Sequence, residues 1–319
     1  SGTVVLADAG PADAGGADAG TPDAGQPRRT PTAWRLASTS GPVARIVPTM
    51  AFDSSRNRVV MFGGYNAAFG GSLRDTWEWD GTQWTQIAPV LVPPAYGPAT
   101  YDSGRRVVVM ASAISNQVTQ TWEYSGVDWV RRTPSTSPPT LTNLAFDERR
   151  LRAVAFGAYR TPGTSLDETW EYDGTTWTQR LVTIRPPPRV YASIAYDPSQ
   201  RSVFLFGGTP TTMPVDDSWD WNGTDWSPVV TSQLPPLRDG PALVVFDAPV
   251  LFGGVRLTTI FNDTWRLDRD AGWEQLALQN PPSPRYAFSM VFDSVSNRAV
   301  LFGGQLEDGG YSAETWVLE

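Results

Sequence analysis

The sequence contains no cysteine, no histidine and no lysine, so its 25 basic residues are all arginine. Without histidine or cysteine there can be no Ser-His-Asp or Cys-His nucleophile pair, no imidazole general base and no ordinary zinc site. Any metal ion would need oxygen ligands alone. We therefore predict no catalytic residue, no metal site and no cofactor.

The chain is also poor in positive charge and in long apolar runs. Its formal net charge is -8 and its pI is near 4.7. This argues against sequence-independent binding of nucleic acid, which depends on clustered cationic side chains. No apolar run approaches the roughly 18 to 20 residues that a membrane span needs. We expect no nucleic-acid partner and no transmembrane segment.

The first thirty residues carry an Asp-Ala-Gly repeat with a period of five, at 8–10, 13–15, 18–20 and 23–25. Such a segment cannot bury enough apolar area to offset the entropy lost on ordering. We predict that residues 1–30 form a disordered tether and that 31–319 form one folded domain.

Tethers of this composition resemble those that follow the export signals of bacterial surface lipoproteins. The chain opens with Ser1 rather than methionine, which suggests that a signal segment was removed. We expect an exported protein, secreted or at a bacterial cell surface. Lipid anchorage would require an N-terminal cysteine that this chain does not contain.

Two tryptophans recur along the rest of the chain. The first recurs at intervals of 45 to 51 residues, at Trp77, Trp122, Trp170, Trp219, Trp265 and Trp316. The second follows seven or eight residues later, at Trp84, Trp129, Trp177, Trp226 and Trp273. A repeat of about 48 residues with four short strand-like runs is typical of a β-propeller blade.

The sixth copy of the second tryptophan is missing at the C-terminus and appears at the other end of the domain as Trp34. A closed ring needs this permutation, because pairing an N-terminal strand with the last blade removes the sheet edges that an open array would expose. We predict an all-β, six-bladed propeller of four-stranded antiparallel blades, closed by the strand around Trp34 joining the last blade.

A glycine pair lies between the second and third runs of most repeats, as in Gly63-Gly64 and Gly303-Gly304, and an acidic residue precedes the first tryptophan by two. The Phe-Gly-Gly ending, the acidic-Thr-Trp step and the second tryptophan resemble the kelch motif, over residues 34 to 319. Kelch membership implies a propeller but no particular activity, because families with this motif range from oxidases to adaptor proteins.

Two sets of acidic residues repeat with the blades. One ends the first strand, at Asp53, Asp102, Asp147, Asp197, Asp247 and Asp293, and we interpret it as fixing hairpins through backbone N–H groups rather than as a ring of metal ligands. The other precedes the first tryptophan, at Asp75, Glu168, Asp217, Asp263 and Glu314. It is expected to bind backbone amides or neighbouring arginines.

The candidate ligand site lies on the face of the ring that carries the long, varied loops. Four arginines enter this face, at Arg45, Arg189, Arg238 and Arg285. They suit a carboxylate, sulfate or acidic glycan, and pairing with the second acidic set is the alternative. Aromatic side chains for stacking on a sugar or anchoring a protein are Tyr65, Phe69, Tyr159, Tyr191, Tyr286 and Tyr311.

The function that fits these observations is a non-catalytic, monomeric recognition module that binds a glycan or a protein through the long-loop face. One alternative is a sugar-processing enzyme similar to the sialate mutarotases, which also have kelch rings. Another is a structural surface or assembly component. Galactose-oxidase-like copper chemistry is excluded, because its histidine ligands and Tyr-Cys crosslink have no source here.

Overall fold

The computed structural model describes residues 29–319 apart from 115–117, 161–163 and 211–212. The predicted tether thus lies almost wholly outside the described residues. Strands dominate the described chain, and its one helical element is the 3-10 turn Ala67–Phe69. None of the helical structure in the described part is long and apolar enough to cross a membrane.

Twenty-four strands form six four-stranded antiparallel sheets, which confirms the predicted fold class. The strands of each blade are given from the innermost outward. Blade 1 consists of Thr49–Asp53, Arg58–Asn66, Gly71–Trp79 and Trp84–Ile87, and blade 2 of Ala99–Asp102, Val107–Ile114, Val118–Tyr124 and Trp129–Arg132. Blade 3 consists of Ala145–Asp147, Arg152–Phe156, Thr169–Tyr172 and Trp177–Arg180. Blade 4 consists of Ser193–Asp197, Ser202–Phe206, Ser218–Trp221 and Trp226–Val229, and blade 5 of Ala242–Val245, Pro249–Phe252, Thr264–Asp268 and Gly272–Leu276. Blade 6 consists of Ser289–Asp293, Arg298–Phe302, Thr315–Leu318 and Trp34–Ser38.

The outermost strand of blade 6 comes from the start of the domain, as predicted. Trp34 pairs with Leu318 and Leu36 with Trp316 in an antiparallel register. Innermost strands of neighbouring blades contact one another all the way round, blade 6 against blade 1 included. The ring is therefore closed, and each blade packs between two others.

The two faces of the ring differ because successive strands of a blade run in opposite directions. One face carries the segments that lead into the innermost strands, and we call it the long-loop face. It also carries the loops between the second and third strands, at residues 65–74, 159–166, 209–216, 255–262 and 305–313. The short-turn face carries the tight hairpins after the innermost and third strands. On the long-loop face three short ladders extend the blades: Thr140–Leu141 with Ala158–Tyr159, Val255–Arg256 with Thr259–Ile260, and Arg285–Tyr286 with Gln305–Leu306.

The second tryptophan of each repeat joins its blade to the preceding one. At five of the six interfaces its ring packs against a phenylalanine of the preceding blade's second strand, as Trp129 does on Phe62 with centroids 5.3 Å apart. Blade 2 has no phenylalanine in this strand, and Trp177 lies in a cluster with Ala111 and Val109. Its indole N–H donates to a threonine hydroxyl in the preceding blade's third strand. These bonds are Trp84 to Thr315, Trp129 to Thr76, Trp177 to Thr121, Trp226 to Thr169 and Trp34 to Thr264, at 2.8 to 3.0 Å.

The interface between blades 4 and 5 lacks this bond. Serine replaces threonine at position 218, and both the Ser218 hydroxyl and the Trp273 indole nitrogen are buried with no hydrogen-bond partner in the described chain. A threonine has a restricted χ1 angle because its Cβ is branched, whereas the serine hydroxyl is freer to rotate away. This seam therefore carries two unsatisfied polar atoms.

The short-turn face is held by arginines that each bind two carboxylates. Asp53 Oδ1 accepts backbone N–H groups of Ser55 and Arg56, which is the predicted hairpin role. Its other oxygen accepts from Arg56 Nε, and the same guanidinium binds Glu78 on the third strand. The unit recurs as Arg105 with Asp102 and Glu123, and as Arg150 with Asp147 and Glu171.

Blades 4, 5 and 6 depart from this pattern, and in blade 6 the only ion pair that Arg298 makes in the described chain is with Asp293. Gln200 occupies the arginine position of blade 4, and Arg269 from blade 5 crosses the seam to bind Asp197 and Asp220. In blade 5 the innermost strand ends at Val245, so Asp247 lies two residues beyond it rather than at its end as predicted. Asp247 is bound by Arg266 from the third strand.

Replacing Ser218 with threonine should stabilise the protein by about 1 kcal/mol, because the hydroxyl would then accept the Trp273 N–H as its counterparts do at the other five interfaces. Urea unfolding of S218T against the wild type measures the gain. The matched control is S218T in a W273F background, where no indole N–H remains. An equal gain in that background would show that the added methyl group, not the hydrogen bond, is responsible.

Candidate functional site

The four predicted arginines occupy equivalent places just ahead of the innermost strands of blades 1, 4, 5 and 6. Their side chains are 0 to 1% exposed. Each guanidinium donates from Nε to the carbonyl two residues earlier and from NH1 to the carbonyl of the first glycine of the Gly-Gly pair. For Arg45 these acceptors are Val43 at 3.0 Å and Gly63 at 2.8 Å.

The same guanidiniums bind the acidic set that precedes the first tryptophan. Arg45 binds both oxygens of Asp75, at 2.6 and 2.8 Å. The pairs in the other blades are Arg189 with Asp217, Arg238 with Asp263 and Arg285 with Glu314. Each of these acids also accepts the indole N–H of the tryptophan two residues later, at Trp77, Trp219, Trp265 and Trp316.

The structure therefore shows the internal pairing that the sequence left as the alternative to ligand recognition. The arginine, the glycine pair and the acidic-Thr-Trp step form one unit that fixes the long loop to the start of the innermost strand. Direct ligand binding by Arg45, Arg189, Arg238 and Arg285 stays a prediction, and the donors of these side chains are directed to internal acceptors.

Blades 2 and 3 have proline instead of this arginine, and neutral hydrogen bonds take its place. In blade 2 the Ser112 hydroxyl donates to the Ala95 carbonyl, and Gln120 accepts the Trp122 indole N–H. In blade 3 the Asn143 side chain makes two hydrogen bonds with the backbone of Phe156. Blades 2 and 3, which lack the arginine, thus also lack the complete glycine pair, and blade 2 lacks the acid as well.

The pKa values of three of the paired carboxylates, Asp75, Asp217 and Glu314, are lowered. Burial alone would raise the pKa of Asp75, but hydrogen bonds and charge from Arg45 and the bond from Trp77 outweigh it, and the net pKa is lowered. The pKa values of Asp217 and Glu314 are lowered in the same way by Arg189 and Arg285, against the effect of burial. These ion pairs are intact at neutral pH.

Tyrosines lie close together where the channel opens on the long-loop face. Burial raises the pKa of Tyr96, and the neighbouring phenols of Tyr65 and Tyr191 raise it further. Tyr65 belongs to blade 1, Tyr96 to the segment leading into blade 2 and Tyr191 to the segment leading into blade 4. Tyr286 instead donates to Gln305 at 2.6 Å. Tyr311 is half-buried, and its backbone forms an isolated antiparallel β-bridge with Gln305. The Tyr159 side chain is not among the described ones.

Large apolar side chains are exposed on the same face. Two are predicted aromatic residues, Phe69 at 60% and Tyr191 at 53% exposure. Others were not predicted, among them Val47, Met213 and Leu257, at 37, 48 and 82%. Val47 and Tyr191 each follow a buried arginine by two residues and have φ values of 46° and 57°. Gly240 and Ala287 have the same left-handed backbone after Arg238 and Arg285, so this conformation belongs to the repeat.

In residues 29–319, outside the three gaps, no group of three or more acidic, histidine or cysteine side chains is arranged to hold a metal ion. Of the acids nearest the loops, Asp217 and Glu314 are engaged by buried arginines, and Glu168 is bound by Arg160. The arrangement offers a fixed surface with aromatic and apolar side chains.

Replacing Asp217 with asparagine should lower the free energy of unfolding by about 1 to 2 kcal/mol, because it leaves the buried Arg189 cation without its counter-charge while the 39% exposure of the Asp217 side chain screens the pair. The pKa of Asp217 is lowered in the folded state, so its contribution is complete above the unfolded pKa of about 3.9 and is lost as the pH falls through the folded value. The difference between D217N and the wild type in urea unfolding should therefore shrink below about pH 4.

The matched control is D173N. Asp173 lies in an exposed hairpin where Asn222 fills the equivalent position of blade 4, and the side-chain oxygen accepts the same two backbone N–H groups in both. D173N should change stability little. A loss in D217N no larger than that in D173N would show that the buried pair is not required for the fold.

Comparison with known proteins identifies the family to which the repeats are similar. Residues 116–304, more than half of the chain, match the family described as the KLHDC2/KLHL20/DRC7 Kelch-repeats domain. A search of curated proteins finds no match to the sequence. The matched region runs from blade 2 into blade 6, and the remaining blades repeat the same units. A propeller of this kind suggests a protein-interaction module. The chain belongs to the kelch-repeat family.

Proposed function

We propose that this chain is an exported, non-catalytic recognition module that binds a protein partner through the long-loop face. The observation that carries the proposal is the number of exposed apolar side chains on that face, among them Val47, Phe69, Tyr191, Met213 and Leu257. Aromatic and apolar side chains at the centre of an interface supply most of its binding energy. A closed ring holds them in fixed positions, which reduces the entropy lost on binding.

The charges of the face favour a protein over an acidic glycan. Bidentate recognition of a sulfate or carboxylate would need exposed guanidiniums. The four convergent arginines are buried and paired, so the cationic support for such a ligand is removed. A neutral glycan is the second candidate, because the group formed by Tyr65, Tyr96 and Tyr191 provides rings on which a sugar can stack.

Export and a place at the cell surface rest on composition. The absence of cysteine, the Asp-Ala-Gly segment and the acidic net charge support them. A sugar-processing role similar to that of the sialate mutarotases, and a structural role in a surface assembly, are the alternatives that the experiments below separate.

The double variant F69S/Y191S should weaken binding of the partner by about 30-fold or more, since two central apolar anchors are removed. The partner is first captured from the source cells and their medium with the purified domain and mass spectrometry, and its affinity is then measured by calorimetry. Because Phe69 and Tyr191 are exposed, unfolding curves of the variant should match those of the wild type.

The matched control is V127S/V295S, which removes two exposed valines from the short-turn face. Loss of binding in this control but not in F69S/Y191S would place the interface on the opposite face and refute the proposal. A glycan array tests the second candidate, and light scattering of the purified domain separates a monomeric binder from an assembly component. Turnover of a small sugar would support the enzyme alternative instead.

A further inference from the structure

The hairpin between the third and fourth strands of blade 4 carries the only Asn-Gly step in the sequence, Asn222-Gly223. This hairpin lies on the short-turn face, opposite the proposed partner surface, and Asn222 is exposed. The Asn222 Oδ1 atom accepts the backbone N–H groups of Thr224 at 2.8 Å and Asp225 at 3.1 Å. Its Nδ2 atom makes no hydrogen bond within the described chain. The side-chain nitrogen is therefore not held by the turn.

The backbone nitrogen of Gly223 is available to attack the Asn222 side chain. Its N–H has no acceptor in the part of the chain that the structure describes, so water can take up its proton. Glycine has no side chain to crowd this nitrogen, and its φ of 101° is one that other residues rarely adopt. A cyclic imide forms when the nitrogen bonds to Cγ of Asn222.

The two N–H groups on Oδ1 stabilise the charge that this attack produces. Negative charge develops on Oδ1 as the Gly223 nitrogen bonds to Cγ, and fixed N–H donors about 2.7 to 3.1 Å from an oxyanion lower the barrier to its formation. Thr224 and Asp225 hold such donors in place before the reaction begins. The turn thus brings together the nucleophile, the carbon that it attacks and the donors.

We propose that Asn222 is a site of spontaneous deamidation in the folded chain. The bond from the Gly223 nitrogen to Cγ forms, the Cγ–Nδ2 bond breaks, and Nδ2 leaves as ammonia with the proton that the Gly223 nitrogen lost. Water then opens the imide. Cleavage of the new bond to Cγ gives aspartate, and cleavage at the Asn222 carbonyl carbon gives isoaspartate. Either product carries one more negative charge than the starting chain.

The aspartyl product fits the turn without rearrangement. Asp80, Asp173 and Asp268 occupy the equivalent position in blades 1, 3 and 5, and each carboxylate accepts the same pair of backbone N–H groups. The N–H groups of Ala271 and Asp270 lower the pKa of Asp268. The turn therefore stabilises a carboxylate as well as an amide.

The isoaspartyl product does not fit the turn. Its main chain is longer by one carbon atom, and the oxygen that accepted both N–H groups becomes a backbone carbonyl. The turn leads directly into Trp226, which pairs with Trp221 and whose indole N–H donates to Thr169 of blade 3 at 2.8 Å. Isoaspartate at position 222 therefore loosens the outer strand of blade 4 from blade 3.

The test is incubation of the folded chain in mildly alkaline water enriched in the heavy oxygen isotope, followed by peptide mapping with mass spectrometry. Asn222 should convert about tenfold or more faster than Asn57, an exposed turn residue that precedes arginine and whose side chain accepts no hydrogen bond in the described chain. Asn280 is exposed and precedes proline, which has no N–H, and should not form the imide. Conversion of Asn222 no faster than that of Asn57, or a product without heavy oxygen, would overturn the proposal.

Urea below the unfolding transition separates reaction in the folded turn from reaction in unfolded molecules. Urea raises the unfolded fraction, so a rate of conversion that stays constant assigns the reaction to the folded turn. A rate that rises in proportion to the unfolded fraction contradicts the proposal.

The stability of the two products tests the consequence for the ring. N222D should unfold at the same urea concentration as the wild type, because the aspartyl turn is already present in other blades. The isoaspartyl form, separated by anion exchange, should unfold at a lower urea concentration than N222D. An isoaspartyl form as stable as N222D would show that the turn tolerates the longer main chain and would refute the loosened contact with blade 3.

Discussion

Closure of the ring is the constraint on which the rest of the structure depends. Each blade presents the face of its second and third strands to the next blade's outer tryptophan, so a blade without a neighbour would expose a large aromatic interface. Trp34 provides that tryptophan for blade 6, packs on Phe252 with centroids 4.6 Å apart and donates to Thr264 in blade 5. The five other interfaces gain the same burial only because this one is complete.

Arginine has a separate structural role on each face. On the long-loop face it is buried and binds one carboxylate together with nearby backbone carbonyls. On the short-turn face it is half-buried, and five arginines there each bind two carboxylates: Arg56, Arg105, Arg150, Arg266 and Arg269. Both arrangements use the planar fork of the guanidinium, which a lysine ammonium cannot reproduce. Many of the arginine and carboxylate charges therefore hold loops and hairpins in place.

This division explains what the sequence predicted and what it did not. The tryptophan period and the displaced Trp34 predicted the blade count and the closure, because they depend only on spacing along the chain. The acid-to-tryptophan spacing indicated pairing with Arg45 and its counterparts but left ligand binding open, since spacing does not reveal which side chains are buried. Val47, Met213 and Leu257 carry no motif, and their exposure follows from the folded loops alone.

The contacts of Arg269 could not be predicted, because they compensate for a residue in another blade. Gln200 cannot bind Asp197 and Asp220 as an arginine does, and Arg269 reaches both from the next blade's turn. The blade 5 turn from which Arg269 reaches lies beside the seam where Trp273 and Ser218 lack their hydrogen bond.

Two irregular features of the ring meet at the interface of blades 4 and 5, and their effects oppose each other. The missing indole bond weakens the blade 4 and blade 5 interface near the third strand of blade 4. The Arg269 pairs strengthen it at the short-turn face, where the guanidinium also lies over the ring of Phe204, 5.6 Å from its centroid.

A second departure occurs at the interface of blades 6 and 1. There Val317 stands where blades 1 to 4 have an acid, and the Trp79 indole nitrogen has no partner in the described chain. At that interface the closing strand is adjacent, and the bond from Trp84 to Thr315 remains. Each weakened interface therefore keeps one specific polar connection, which is what a ring needs if no single interface is to open first.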